Sequence, residues 1–159
     1  MVSKIEKESS SERTKEFFRL DRNILLDQIK AKLFSLAEEI INKNSSHRVT
    51  NVILFHFLEN VQNEIEPFWR EEIMMTVQRQ FKEEFKHPLS IDVVEASTSN
   101  FLNSFDHVFD QITKQVLRWP LDLSEDDVYK LATLIMQNIK GPMKKSLSYV
   151  NNSINNSSL

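Results

Sequence analysis

Gly141 is the only glycine in a chain of 159 residues. A chain of this length carries about ten at the usual frequency of roughly 7%. Tight hairpins, bulges and phosphate-cradling loops need a positive φ, which glycine supplies at least cost. A β-sandwich or barrel is hard to build under that restriction. A doubly wound nucleotide-binding fold lacks its glycine-rich turn. The class left is all-α: an antiparallel bundle of five to six amphipathic helices, joined by short Asn, Ser and Pro breaks. The eleven phenylalanines and two tryptophans give such a bundle the large apolar side chains that a core needs.

The pattern along the chain divides it into a single domain over 14–150, a disordered polar lead-in over 1–13 and a disordered Asn/Ser tail over 151–159. The first helix is expected from Thr14 to Asn42. Leu26, Ile29, Leu33, Leu36 and Ile40 recur there at steps of three and four, which puts them on one stripe. Phe17, Leu20 and Ile24 repeat that spacing upstream. A polar break follows, in which Asn44 is a candidate for a left-handed helix terminus. The apolar run from Val52 to Leu58 fits a buried strand or a buried helix equally well. The continuation through Val61 and Ile65 favours a helix over His47–Ile65.

Glu66-Pro67 then marks a boundary, because proline is well tolerated at a first helical position. A third helix carries Trp69, Ile73, Val77, Phe81 and Phe85 and ends near Pro88. Ser90 caps a fourth, whose stripe is Val94, Phe101, Phe105, Val108, Phe109, Ile112 and Val116. Ser124 with Glu125, Asp126 and Asp127 resembles a capping box at the start of a fifth, carrying Val128, Leu131, Ile135 and Ile139. Lys140-Gly141-Pro142 closes it, and a last short helix covers Met143–Val150.

Chemistry-bearing patterns are scarce. With no cysteine, disulfides, thiolate metal sites and cysteine nucleophiles are out. Glu84-x-x-His87 resembles half of a bundle di-metal site, but no second Glu-x-x-His occurs to complete it. His56 lies in the most apolar run, where a haem ligand competes with an ordinary histidine at the core edge. Adjacent carboxylates such as Glu71-Glu72 and Asp126-Asp127 diverge by about 100° on a helix and make poor acid–base dyads. No catalytic, cofactor-binding or metal-ligating residue is therefore assigned, and no enzyme is expected.

Two features suit binding instead. The stripe Leu26, Ile29, Leu33, Leu36, Ile40 is read first as packing within the domain and second as a seam between two copies. It is short for an autonomous coiled coil. Trp69 with Met74 and Met75 resembles an adaptable contact surface. The expected function is a non-enzymatic protein–protein interaction or oligomerisation module, self-associating or docking on a protein partner. The alternative is a sensor or carrier of a lipid or tetrapyrrole, held in a cavity lined by phenylalanines and methionines.

The net charge is −3, yet residues 140–159 hold three lysines and no carboxylate. The acidic body makes nucleic acid an unlikely partner. No apolar run is long enough to span a bilayer, and Met1 to Arg22 lacks the continuous apolar core of a secretory signal. A cytoplasmic location is expected, with the nucleus an open alternative.

Overall fold

Helical periodicity governs nearly the whole chain, and the structure, a computed structural model, describes residues 19–44, 49–81, 90–119 and 123–157. Five helices and no strand are found among the described residues: α1 (Arg22–Lys43), α2 (Asn51–Phe81), α3 (Ile91–Val116), α4 (Glu125–Asn138) and α5 (Lys140–Ser157). The fold is an all-α bundle. Its most extensive packing is between α3 and α5; α1 lies on both α2 and α4, and α2 on α3.

α1 starts later than its apolar spacing suggests. The Asp21 carboxylate accepts from the backbone N–H groups of Asn23 and Ile24 at 3.0 and 3.3 Å, which caps the helix. The residues just before it are pinned elsewhere. Gln80 of α2 accepts from the Asp21 N–H at 2.8 Å and donates to the Arg19 carbonyl at 2.8 Å. Asn151 of α5 accepts from the Leu20 N–H at 2.9 Å. Backbone groups bonded to distant side chains are withdrawn from a helical ladder, so Arg19 and Leu20 are not helical. The expected lead-in over 1–13 and the expected first helical turns from Thr14 lie outside the described residues. Asn44, with φ −115° and ψ 25°, is not left-handed; its side chain donates to the Ile40 carbonyl at 2.8 Å and closes the helix that way.

The boundary expected at Glu66-Pro67 is absent: α2 is one helix of 31 residues with Pro67 inside it. Val61, Ile65, Trp69, Ile73 and Val77 are all buried, and their unbroken steps of four cross the proline in register. Proline cannot donate to the carbonyl four residues back. Here that residue is Asn63, which is exposed like Pro67 itself. Water can serve the freed carbonyl, so the cost of the proline is tolerated.

α3 and α4 begin where their caps predict. Ser90 Oγ accepts from the Val93 N–H at 3.3 Å. The Asp127 carboxylate accepts from the Ser124 N–H at 2.8 Å, one arm of a capping box. At the end of α4 only Ile139 interrupts the helical run before α5. Pro142 fits there because the first turn of a helix has no N–H partner to lose. A Cβ added to Gly141 would meet nothing within 4 Å, so no close approach demands a glycine. The last helix is longer than expected, and residues 151–157 belong to it rather than to a tail. Met143, Leu147, Val150 and Ile154 are all buried and carry its apolar face into the Asn/Ser stretch.

The core centres on Trp69, which is fully buried. Its ring stacks on Phe101 of α3 with centroids 4.1 Å apart and planes 11° from parallel. Its indole N–H donates to Ser146 Oγ of α5 at 2.9 Å, also buried. Phe105 and Phe109 extend the aromatic row along α3 at 5.6 and 5.5 Å. Two buried hydroxyls on α3, Ser97 and Thr98, both donate to the Val94 carbonyl at 2.9 and 2.7 Å, so their burial leaves nothing unbonded.

Two measurements check this architecture. Ser146→Ala leaves the buried indole N–H without an acceptor and lowers unfolding stability by about 1–3 kcal/mol in urea titrations. Pro67→Ala restores a helical hydrogen bond in one continuous helix and raises stability by about 1–3 kcal/mol; a helix that truly began at Pro67 would gain nothing.

Candidate interaction surface

Most side chains singled out for contact with a partner are spent inside the molecule. Ile29, Leu33, Leu36 and Ile40 are buried together with Leu25. Leu26, at the head of the expected stripe, is only half-buried against that core. The stripe packs α1 onto α2 and α4, so it has no free side to offer a second copy. Trp69 is the core residue described above. Met75 is half-buried and Met74 is 40% exposed. Of the eight residues, Met74 alone presents a largely open apolar side chain.

Other large apolar side chains are exposed as well, Val52 at 59% and Leu117 at 62% among them, and the most exposed is one the spacing did not single out. Ile91, the first residue of α3, is 75% exposed. It is in phase with the buried stripe beginning at Val94, and its exposure comes from standing at the helix end, beyond the reach of the core. Periodicity carries no signal for that. Met74 and Ile91 flank the connection between α2 and α3, Met74 in the last turns of one helix and Ile91 in the first turn of the next.

An ion cluster ties the two helices together nearby. Arg70 of α2 grips Glu95 of α3 through two nitrogens, Nε to Oε1 at 2.9 Å and Nη2 to Oε2 at 3.1 Å. It also reaches Glu66 at 3.0 Å. Glu95 first, then Glu66, hold the guanidinium more firmly protonated against the opposing effect of burial. Met74 lies one turn beyond Arg70, and Ile91 one turn before Glu95. The flanking charges are opposite, with exposed Arg79 on α2 and exposed Asp92 on α3.

Glu72 has an unusual environment. Its Oε2 is enclosed without a hydrogen-bond partner among the described residues, as is the Thr76 hydroxyl one turn on. Burial raises the Glu72 carboxyl above its usual value of 4.5; Arg79 opposes the rise and Glu71 adds to it. Glu72 and Thr76 lie one turn apart on α2, and no metal-binding group forms around them among the described residues.

The histidines supply none either. His56 is exposed, turned away from the apolar residues that surround it in sequence. His107 is exposed, its Nε2 3.4 Å from Gln111 Nε2. His47 and the Glu84-x-x-His87 pattern lie outside the described residues. Among the described residues no three His, Cys, Asp or Glu side chains gather into a metal-binding group. The phenylalanines expected to line a ligand cavity instead fill the core: Phe57, Phe101 and Phe105 are fully buried, the last two within the aromatic row. No described helix is long and apolar enough to cross a membrane.

No family model, curated protein or solved structure matches the chain.

The Glu72 environment has a pH signature. Folding holds this proton more tightly than the unfolded chain does. Its contribution to stability is therefore full below the usual carboxylate value and lost as pH climbs through the raised one. Glu72→Gln, which keeps the neutral form at every pH, is expected to raise Tm at pH 7. The gain should vanish below pH 4.5 when both proteins are melted across a pH series.

Proposed function

We propose that the chain is a non-enzymatic helical interaction module that associates with a second copy of itself through the Met74–Ile91 surface. The observation that carries this reading is the pair of open apolar side chains, Ile91 at 75% and Met74 at 40% exposure, on the two sides of the α2–α3 connection. A flexible methionine and a branched aliphatic residue, each one turn from the Arg70–Glu95 ion pair, suit a contact that forms after folding. The opposite charges of Arg79 and Asp92 favour the same occupant. In a twofold dimer one patch meets its own copy, so the cation of each protomer can face the anion of the other.

The filled core supports the same reading. A rigid bundle whose aromatic side chains are stacked on one another has little interior space for a ligand, and binding is left to its outside. Among the described residues nothing favours a lipid or tetrapyrrole carrier over a protein contact.

Light scattering coupled to size exclusion tests the proposal. The wild-type mass is expected to rise with concentration from 18.7 kDa toward twice that value. The double variant Met74→Lys, Ile91→Lys should stay at the monomer mass with unchanged circular dichroism, since both side chains are exposed. A wild-type mass that never rises, or a double variant that associates as well as the parent, would refute it.

A further inference from the structure

A groove of about 730 Å³ opens between the residues that lead into α1 and the outer face of α5. We infer that it is a binding site for a small molecule carrying clustered phosphates. The inference is independent of self-association and uses different residues.

The polar lining is one-sided. Arg19, Arg22 and Lys144 contribute three cations, and Ser148, Asn151 and Asn152 contribute neutral polar groups. Among the described residues no carboxylate lines the groove, although acidic residues outnumber basic ones in the chain by 23 to 20. The nearest acid in sequence, Asp21, is turned to the N–H groups of its own helix as an N-cap. No described lining side chain therefore neutralises the cationic charge. Two guanidinium groups present planar forks that match phosphate oxygens, and the ammonium adds a compact point charge.

One amide is oriented as well. Asn151 gives its carbonyl oxygen to the Leu20 N–H at 2.9 Å. The part of that side chain left to meet a ligand is its NH₂ group, a donor. Leu20 and Leu147 are both about 5% exposed and supply an apolar floor. Cations and donors above an apolar base suit an anion with several acceptor oxygens. The volume is that of a small-molecule site. A long polyanion would also meet the acidic surface of residues 91–139, which disfavours nucleic acid.

The three lysines in residues 140–159 thus have unequal roles. Lys144 lines the groove, whereas Lys145 is exposed and does not. That difference supplies a charge-matched control.

Isothermal titration of the full chain with sodium tripolyphosphate at low salt is the test. One saturable site per chain is expected. Arg22→Gln with Lys144→Gln should weaken binding about tenfold or more through lost charge-assisted hydrogen bonds. Lys145→Gln should leave it nearly unchanged. Both mutated positions are exposed, and an unchanged melting curve without ligand verifies the fold. Phosphatidylcholine vesicles doped with phosphatidylinositol bisphosphate form a second arm. Binding there with the same variant pattern supports the clustered-phosphate chemistry and names a lipid headgroup as its source; tripolyphosphate binding alone names a free phosphate compound. No binding in either arm overturns the inference. So does an equal loss with Lys145→Gln, which would mark a diffuse field, and so does tighter binding to single-stranded RNA than to either probe.

Discussion

Trp69 is the point at which three helices are held to one another. Its ring lies flat on Phe101 of α3, and its one polar atom is satisfied by Ser146 of α5. An indole is the largest apolar body available to a core, but burying it requires an acceptor for its N–H. Ser146, itself fully buried, provides that acceptor and little else. The pairing is directional where the surrounding aliphatic contacts are not. It ties α5 to α2, while the aromatic row of Phe101, Phe105 and Phe109 runs along α3, the helix on which α5 chiefly packs. Leu, Ile and Val supply most of the buried area; the tryptophan selects one arrangement among the many that such side chains would fill comparably well.

How a helix survives its own proline follows from the same face. The row Val61, Ile65, Trp69, Ile73 and Val77 is buried from end to end, while Pro67 lies on the wet side. Local propensity argues for a break at that position, and the burial of a continuous apolar row argues against it. Burying a side chain of this size is worth about 1.5–3 kcal/mol, and the proline costs about 3 kcal/mol. Several buried side chains on each side of Pro67 outweigh one lost hydrogen bond. Tertiary packing decides the outcome.

Much of this was legible in the residues. The near absence of glycine and the apolar spacing indicate helices, and Ser90 and Ser124 mark the starts of α3 and α4. The row across Pro67 was legible too, since its steps of four continue through the proline, but a strong local signal overrode a weaker periodic one. The Val150-to-Ile154 step was similarly visible inside a stretch whose Asn and Ser content suggested a tail. Other features were not accessible. Leu25 and Leu26 are adjacent and chemically identical, and only the packing of α1 decides that Leu25 is buried. The exposure of Ile91 and the pinning of Arg19 and Leu20 by Gln80 and Asn151 depend on contacts between residues far apart in the chain. The groove escaped for the same reason, because its two walls come from opposite ends of the sequence.

That last clasp orders events in time. The Leu20 amide and the Asn151 side chain are 131 positions apart, so on the ribosome the segment leading into the first helix is finished long before its acceptor exists. Domains tend to fold from the N-terminal side as they emerge, yet here the approach to α1 is fastened by a side chain made 131 residues later. Until α5 docks, the groove lacks Lys144, Leu147, Ser148, Asn151 and Asn152, so it can hold a ligand only after that helix has been made and packed.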